Sequence, residues 1–419
     1  MRTLRGGVFT RVAAAILLCA SACAHPYPHI LLPSIALGEP SFFPTLEAYA
    51  QAPIVGDNRI EIFSRGDRLF PAMLEAIHSA QKTISYAQYT YEEGQIALDF
   101  AEALAERCHA GVTVNVLLDG VGSLNMPSEY RTIMTDAGCH VVTFRPLGPF
   151  TLQRANNRNH RRLLIVDGRV GFTGSSGIGK AWMGDGRTKE PWRNTDVRIE
   201  GPAVEYLQGA FAENWLEATG AVLGGEDYVP RPIGPKGRTY VQVVRSSPSA
   251  GSFALYTTQL LAISAAQHSI IITNPYFVPD DEMLDALVEA ANRGVRVAIL
   301  VPGEIDHDIV KPARRREYGR LLPAGVEIYV YQPALLHAKT MVIDGRWSTI
   351  GSANFDNRSF ALNDELNVVI YNADVAGDLE RIFADDLEQS KRVEYQKWQR
   401  RGVVERLLEL LSAPLRDLL

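Results

Sequence analysis

Cysteine is scarce. Four in 419 residues exclude a small scaffold held by many disulfides and a Cys-rich metal domain. Positive charge is not in surplus either: 42 Lys and Arg against 48 Asp and Glu give a net charge of −6 and a pI of about 5.9. That balance argues against a nucleic-acid partner, which calls for a basic footprint, although a local run such as "KPARRR" (311–316) is present. No tract is of low complexity. The apolar run at the N-terminus, "VAAAILLCA" (12–20), is too short to cross a bilayer comfortably. What remains is globular, 46% hydrophobic and 21% charged, at a length suited to two domains or one large one.

The first 23 residues read as a targeting segment: Arg2, Arg5 and Arg11, the apolar run, then small residues. "ASAC" ending at Cys23 resembles a bacterial lipobox, in which the Cys is lipidated, though Ala20 stands where Leu is usual. An ordinary cleavage site after Ala22 and a retained anchor are the competing readings. Lipidation and cleavage both export the protein; the lipoprotein reading puts it on the periplasm-facing side of an envelope membrane. The Pro-rich residues 24–50 then read as a tether. With Cys19 and Cys23 so placed, Cys108 and Cys139 are left, each at the start of a strand candidate, and are a disulfide candidate in an exported protein.

From residue 51 helical and strand patterns alternate: "RLFPAMLEAIHSAQ", "TISYAQYTY", "IALDFAEALAERCH", "VTVNVLLDG", a helix near 127–136, "CHVVTF". This predicts α/β architecture with mixed, mostly parallel sheets flanked by helices. The pattern then repeats colinearly. "AIHSAQKTI" matches "AISAAQHSI" at an offset of 186, "GVTVNVLLDG" matches "GVRVAILVPG" at 183, and "AGCHVVTFRP" matches "AGVEIYVYQP" at 187. A duplicated domain follows: 51–220 and 239–419, the second with C-terminal helices, joined by a Gly/Pro-rich linker over 221–238. The amphipathic "VVERLLELLSAPLRDLL" at the end suits a membrane surface or, the preferred reading, docking on its own domain.

One repeated stretch carries chemistry. "NHRRLLIVDG" (159–168) and "LHAKTMVIDG" (336–345) share His, any residue, a long cation, four mostly apolar residues, Asp and Gly, at an offset of 177. On a strand the His and the cation share one face, so His160 lies beside Arg162 and His337 beside Lys339. A cation there must be solvated or paired. It suits an anion site, with the cation holding a phosphate and the His attacking or donating a proton. Gly174-Ser175 and Gly351-Ser352 follow each Asp at the same distance and offer polar groups at a turn.

"HAKTMVIDGRWSTIGSANFDNRS", with "FTGSSGIG", "PWRNTDVRIEGPAV", "NPYFVPD" and "LNDELNVVI", resembles the phospholipase D superfamily, and more narrowly its cardiolipin synthase-like bacterial members, over about Arg59 to Trp398. The resemblance implies two similar domains about a pseudo-two-fold axis with one site between them, complete within a single chain and needing no metal or other cofactor. It implies His160 as the nucleophile that becomes a phospho-histidine, and His337 as general acid and base. Arg162 and Lys339 would clamp the phosphate, with Ser175, Ser352 and Asn354 lining it. Asp167, Asp344, Gly174 and Gly351 would be structural. Orienting carboxylates are expected across the interface, Glu365 for His160 and Asp196 for His337. This copy departs from its partner at Arg162 for Lys and Gly177 for Asn; the Arg keeps charge and adds a planar grip. The implied function is phosphatidyl transfer or hydrolysis on a phospholipid, with a membrane reached through the N-terminal lipid anchor. An envelope nuclease or phosphodiesterase, and a lipid-binding lipoprotein without catalysis, are the alternatives.

Overall fold

The computed structural model describes residues 30–148, 156–306 and 310–412; Cys23, the segment before it and residues 149–155, ahead of His160, lie outside them. The two halves share one sheet. Among the described residues its fifteen strands, the last being β15 (Ser390–Arg392), run β15-β11-β10-β9-β12-β13-β14-β8-β1-β7-β6-β5-β2-β3-β4. The antiparallel pair β1 (Ile54–Phe63) and β8 (Thr239–Ser246) is the seam. Outward from it the first half reads 1-7-6-5-2-3-4 and the second 8-14-13-12-9-10-11, the same order twice.

Parallel pairing is narrower than the alternation implied. It is confined to β2-β3-β4 (Thr83–Gln88, Thr113–Asp119, His140–Phe144) and β9-β10-β11 (Ser269–Thr273, Arg296–Pro302, Glu327–Tyr331). These are the strands joined through helices. The motif strands β5 (Leu163–Val166) and β12 (Thr340–Ile343) turn straight back into β6 (Val170–Gly174) and β13 (Trp347–Gly351), and a short turn permits only antiparallel neighbours.

Those turns use the motif aspartates. Asp167 and Asp344 have positive φ, 51° and 52°. The Asp167 carboxylate accepts backbone N–H groups of Gln81, Lys82 and Thr83 at 2.8–2.9 Å, and Asp344 those of Gln267, His268 and Ser269 at 2.7–2.9 Å. Each acid therefore ties its hairpin to the start of the neighbouring parallel strand, at the end of the motif strand away from its His.

Apolar side chains fill three layers. One cluster belongs to the first half (Phe70, Phe100, Leu104, Leu164), one to the second (Leu260, Ile272, Leu284, Trp347). A third is shared, with Ile199, Phe211 and Trp215 against Val243, Leu366 and Phe383. Cys108 and Cys139 are joined by a disulfide with Cα atoms 5.6 Å apart, closing a separation of 31 residues; a loop of that size contributes about 3–4 kcal/mol in the chain-entropy picture.

The tether reading of 24–50 is corrected over 30–50, residues 24–29 lying outside the described residues. Residues Phe42–Ala50 form helix α1, and Phe42, Leu46 and Ala50 are buried in the second half's core. The four-residue spacing of those side chains gives one apolar face, which the first half's preceding chain lays on the other half. Residues 221–238 contain no helix or strand and lie between helix α2 (Val204–Thr219) and β8.

Candidate active site

Both motif histidines lie at the seam, 6% and 5% exposed, with Arg162 and Lys339 buried beside them. Backbone bridges cross the seam at each. His160 N–H donates to Asp364 O at 2.9 Å, and His337 N–H to Arg193 O at 2.7 Å. The chain ahead of each histidine thus pairs with the loop that enters the last motif strand of the opposite half, β14 (Glu365–Tyr371) or β7 (Asp196–Glu200).

At His160, Nδ1 faces the Glu365 carboxylate at 2.8 and 3.0 Å, while Nε2 is 3.1 Å from Arg162 Nη2. A carboxylate only accepts, so Nδ1 carries the proton and Nε2 keeps its lone pair. Glu365 also accepts from Ser352 Oγ. At His337, Nδ1 faces the Ser175 carbonyl at 3.1 Å and Asn194 Oδ1 at 3.3 Å, and Nε2 is 3.0 Å from Lys339 Nζ. The carbonyl fixes the same tautomer, without a charge.

The expected partner of His337 is therefore corrected. Asp196 does not reach it; its carboxylate accepts from Ser176 N–H at 3.0 Å and Ser176 Oγ at 2.6 Å. Sheet register explains why. Gly174 pairs with Asp196, and Gly351 with Asn367. Asp196 is thus the counterpart of Asn367, and Asn194 that of Glu365. A Cβ on Gly174 would run into Asp196 Oδ1, and one on Gly351 into Asn367 Oδ1, so the two glycines are required by the same close approach in each half.

Burial pulls the His160 imidazole down to about 4 against the opposing pull of Glu365, with Arg162 adding to the depression. Burial, then Lys339 and Arg162, holds His337 well below its ordinary value. Both are neutral at pH 7 until an anion enters. Burial and Arg162 likewise lower the Lys339 ammonium. Two cations and two imidazoles with so little counter-charge destabilise one another; a phosphodiester anion between them reverses the sign of that interaction.

Ser175 and Ser352 are committed elsewhere than a phosphate. Ser175 Oγ bridges the Thr195 backbone, and Ser352 Oγ bonds Glu365 and the Leu366 backbone. Asn354 Oδ1, by contrast, is buried without a partner, as is Arg162 Nε. At the counterpart of Asn354, Gly177 leaves room for Trp182, whose ring a Cβ there would meet at 2.8 Å.

Several neighbours escaped sequence reasoning. Arg161, wholly buried, donates to Ala210 O, Ser246 O, Glu365 O and Asn214 Oδ1 at 2.9–3.2 Å, stapling the halves together. Buried Arg158 pairs with Asp119 at 3.1 Å just ahead of His160. Tyr89 meets His160 edge-on at 4.9 Å between centroids, and Trp192 lies 5.3 Å from His337. Trp182 is buried against Trp192. Tyr89 fell within the strand pattern "TISYAQYTY"; Asn194, one residue beyond Arg193 and its cross-seam bridge, left no signal of its own.

The family model described as cardiolipin synthase, PLD-like domain, matches residues 73–215 and 260–387. The chain is 33% identical over 372 residues to cardiolipin synthase 1 of Bacillus anthracis, covering 87% of this chain and 73% of that one. It is 34% identical over 368 residues to the major cardiolipin synthase of Bacillus subtilis, covering 87% and 76%. Among solved structures, a phosphatidylserine synthase of Haemophilus influenzae shares the fold at a TM-score of 0.65 and 11% identity, over 90% of this chain and 98% of that one. Two motifs facing each other across a duplicated sheet, together with these similarities, place the chain in the phospholipase D superfamily, as a member of the cardiolipin synthase PLD-like domain family.

Proposed function

We propose that the chain is a phosphatidyltransferase that works through a covalent histidine intermediate. The observation that carries this is the paired geometry. Each histidine has Nδ1–H held by an acceptor from the opposite half and Nε2 turned to a buried cation. His160 Nε2 attacks the phosphorus of a phospholipid's phosphodiester, forming a P–N bond as the P–O bond to the departing alcohol breaks. Glu365 stabilises the positive charge that the imidazole gains. His337 gives its Nε2 proton to that alcohol oxygen, having taken it up as the anion raises its basicity. The acceptor alcohol then loses its proton to His337 and displaces His160. Arg162 and Lys339 neutralise the charge on the non-bridging oxygens throughout.

His160 takes the nucleophile's role because only it has a carboxylate to stabilise the cationic phospho-imidazolium. The cardiolipin synthases among its relatives support a phospholipid substrate. Incubating the purified chain with phosphatidylglycerol, with and without ethanol, tests the reading. Cardiolipin and phosphatidylethanol are expected; phosphatidic acid alone would make it a hydrolase, and intact lipid with cleaved nucleic acid would make it a nuclease. A single chain holding both motifs suffices for the complete site.

The N-terminal reading adds that the enzyme is exported and anchored through lipid on Cys23 at the periplasmic face of an envelope membrane. Arg2, Arg5, Arg11 and the apolar run support it. Cys23→Ser should release the chain from the membrane fraction; unchanged partitioning would contradict the anchor.

A further inference from the structure

The last described helix is mounted inside out. Val403–Ser412 (α3) is cleanly amphipathic, yet Val403, Val404, Leu407, Leu408, Leu410 and Leu411 are 51–82% exposed, while Glu409 and Ser412 are buried. Residues 405, 409 and 412 share one side of a helix, and that side faces the protein. Glu409 accepts a two-pronged bond from Arg401 at 2.7–2.9 Å, and Glu405 pairs with Arg315 at 3.2 Å. Arg401 in turn lies 3.7 Å from the Trp398 ring centroid. Ion pairs hold the helix down, and its Val and Leu side chains point to solvent. The preferred expectation, that the helix docks on its domain, holds only for its polar face.

Beside it lies a cavity of about 550 Å³ on the ends of β10 and β11, lined among others by Gly303, Gln332, Lys311, Arg314, Lys397 and Trp398. Arg314, on helix α4 (Val310–Leu321), is only 2% exposed; one nitrogen donates to Pro302 O, while Nε and Nη1 have no partner. The surrounding charge is lopsided for a chain of net −6: α4 carries five cations against one acid, and residues 391–406 carry six against two. The start of α4 packs, through Val310 and Ala313, near Tyr276 and Val278, and Tyr276 meets His337 edge-on. The cavity and the catalytic seam therefore share a helix.

We propose that α3 and this cavity form a docking surface for an anionic phospholipid membrane: the Val and Leu face enters the acyl boundary and a lipid phosphate sits in the cavity toward Arg314. An exposed apolar face of this size marks an interaction site, and one bordered by cations suits an anionic lipid surface. The same cations would repel a second copy of this chain brought to the same face.

Hydrogen exchange on the full-length protein tests this locally, independently of turnover and of the N-terminus. Peptides spanning 403–412 should exchange at least tenfold more slowly with vesicles containing phosphatidylglycerol than with pure phosphatidylcholine or none. Leu407→Gln/Leu411→Gln should abolish the protection, and Lys311→Gln/Lys397→Gln should weaken it severalfold, with melting temperatures unchanged. Equal exchange in all conditions, or protection undiminished in the Leu variant, would overturn the proposal. Protection that grows with protein concentration without lipid would assign the face to a second copy instead.

Discussion

Glu365 is buried, which by itself would raise its carboxyl, yet His160 and the hydroxyls around it hold it below the ordinary value. Among the described residues it is the one full carboxylate bonded to either catalytic imidazole; His337 has Asn194 and a carbonyl instead. The asymmetry between the two sites thus rests on Glu365 against Asn194 more than on Arg162 against Lys339, since both cations reach their His Nε2 at nearly the same distance, 3.1 and 3.0 Å. Glu365→Gln should move the His160 titration, read from its ring-proton shift by NMR, below its value of about 4, because the group that raises it is gone. It should also lower kcat by ~10²–10⁴, the range of a lost charge partner in a nucleophile–acid relay. A titration that rises, or an unchanged kcat, would refute the role. The same shift sets a stability slope. An unfolded His160 takes up a proton near 6.5 and the folded one only near 4, so stability falls as pH drops through that interval, and His160→Gln should flatten the slope in denaturant titrations.

The elements divide into those whose partners are local and those whose partners are not. Helices and strands between Gly66 and Phe144 follow the period of their apolar residues, because each buries a face on its sequence neighbour. The family resemblance implied that the motif aspartates are structural, and the geometry gives the reason: each holds three N–H groups at a hairpin. Asp167→Asn should therefore destabilise by about 1–3 kcal/mol in chemical denaturation, by weakening partly buried charged acceptors, while the folded fraction keeps kcat within a fewfold. Loss of turnover without loss of stability would put Asp167 in the chemistry. Asn194 was not legible. The offset between the halves is 177 from Gly174 to Gly351 but 171 from Asp196 to Asn367, so six extra residues lie between β6 and β7. Matching "NTDV" to "DELN" by their acids slips the alignment by two places, and only hydrogen-bond register corrects it. Helix α1 was missed for a related reason: its apolar face meets a surface that comes much later in the chain.

At the scale of the whole molecule, duplication and fusion have produced one sheet rather than two. The β1–β8 seam, the shared core cluster and Arg161 all couple the halves. Neither half holds a complete site, since each histidine takes its orienting acceptor from the other. Differential scanning calorimetry should show a single cooperative transition, and Arg161→Ala, which strands buried acceptors on both sides, should lower it as one. Two resolved transitions would mean that the halves fold independently. The order of strands could not be read from the sequence, because duplication predicts two copies but not how they join.

The division of labour between the histidines is the centre of the account, and it can be read on the covalent intermediate. His337→Ala, mixed with phosphatidyl-p-nitrophenol, whose leaving group departs without the proton His337 supplies, and quenched under conditions that preserve phosphoramidates, should carry a phosphatidyl mass on the peptide containing His160, and His160→Ala should carry none. A phosphatidyl group on His337 in the His160→Ala protein would contradict the assignment of His160 as nucleophile.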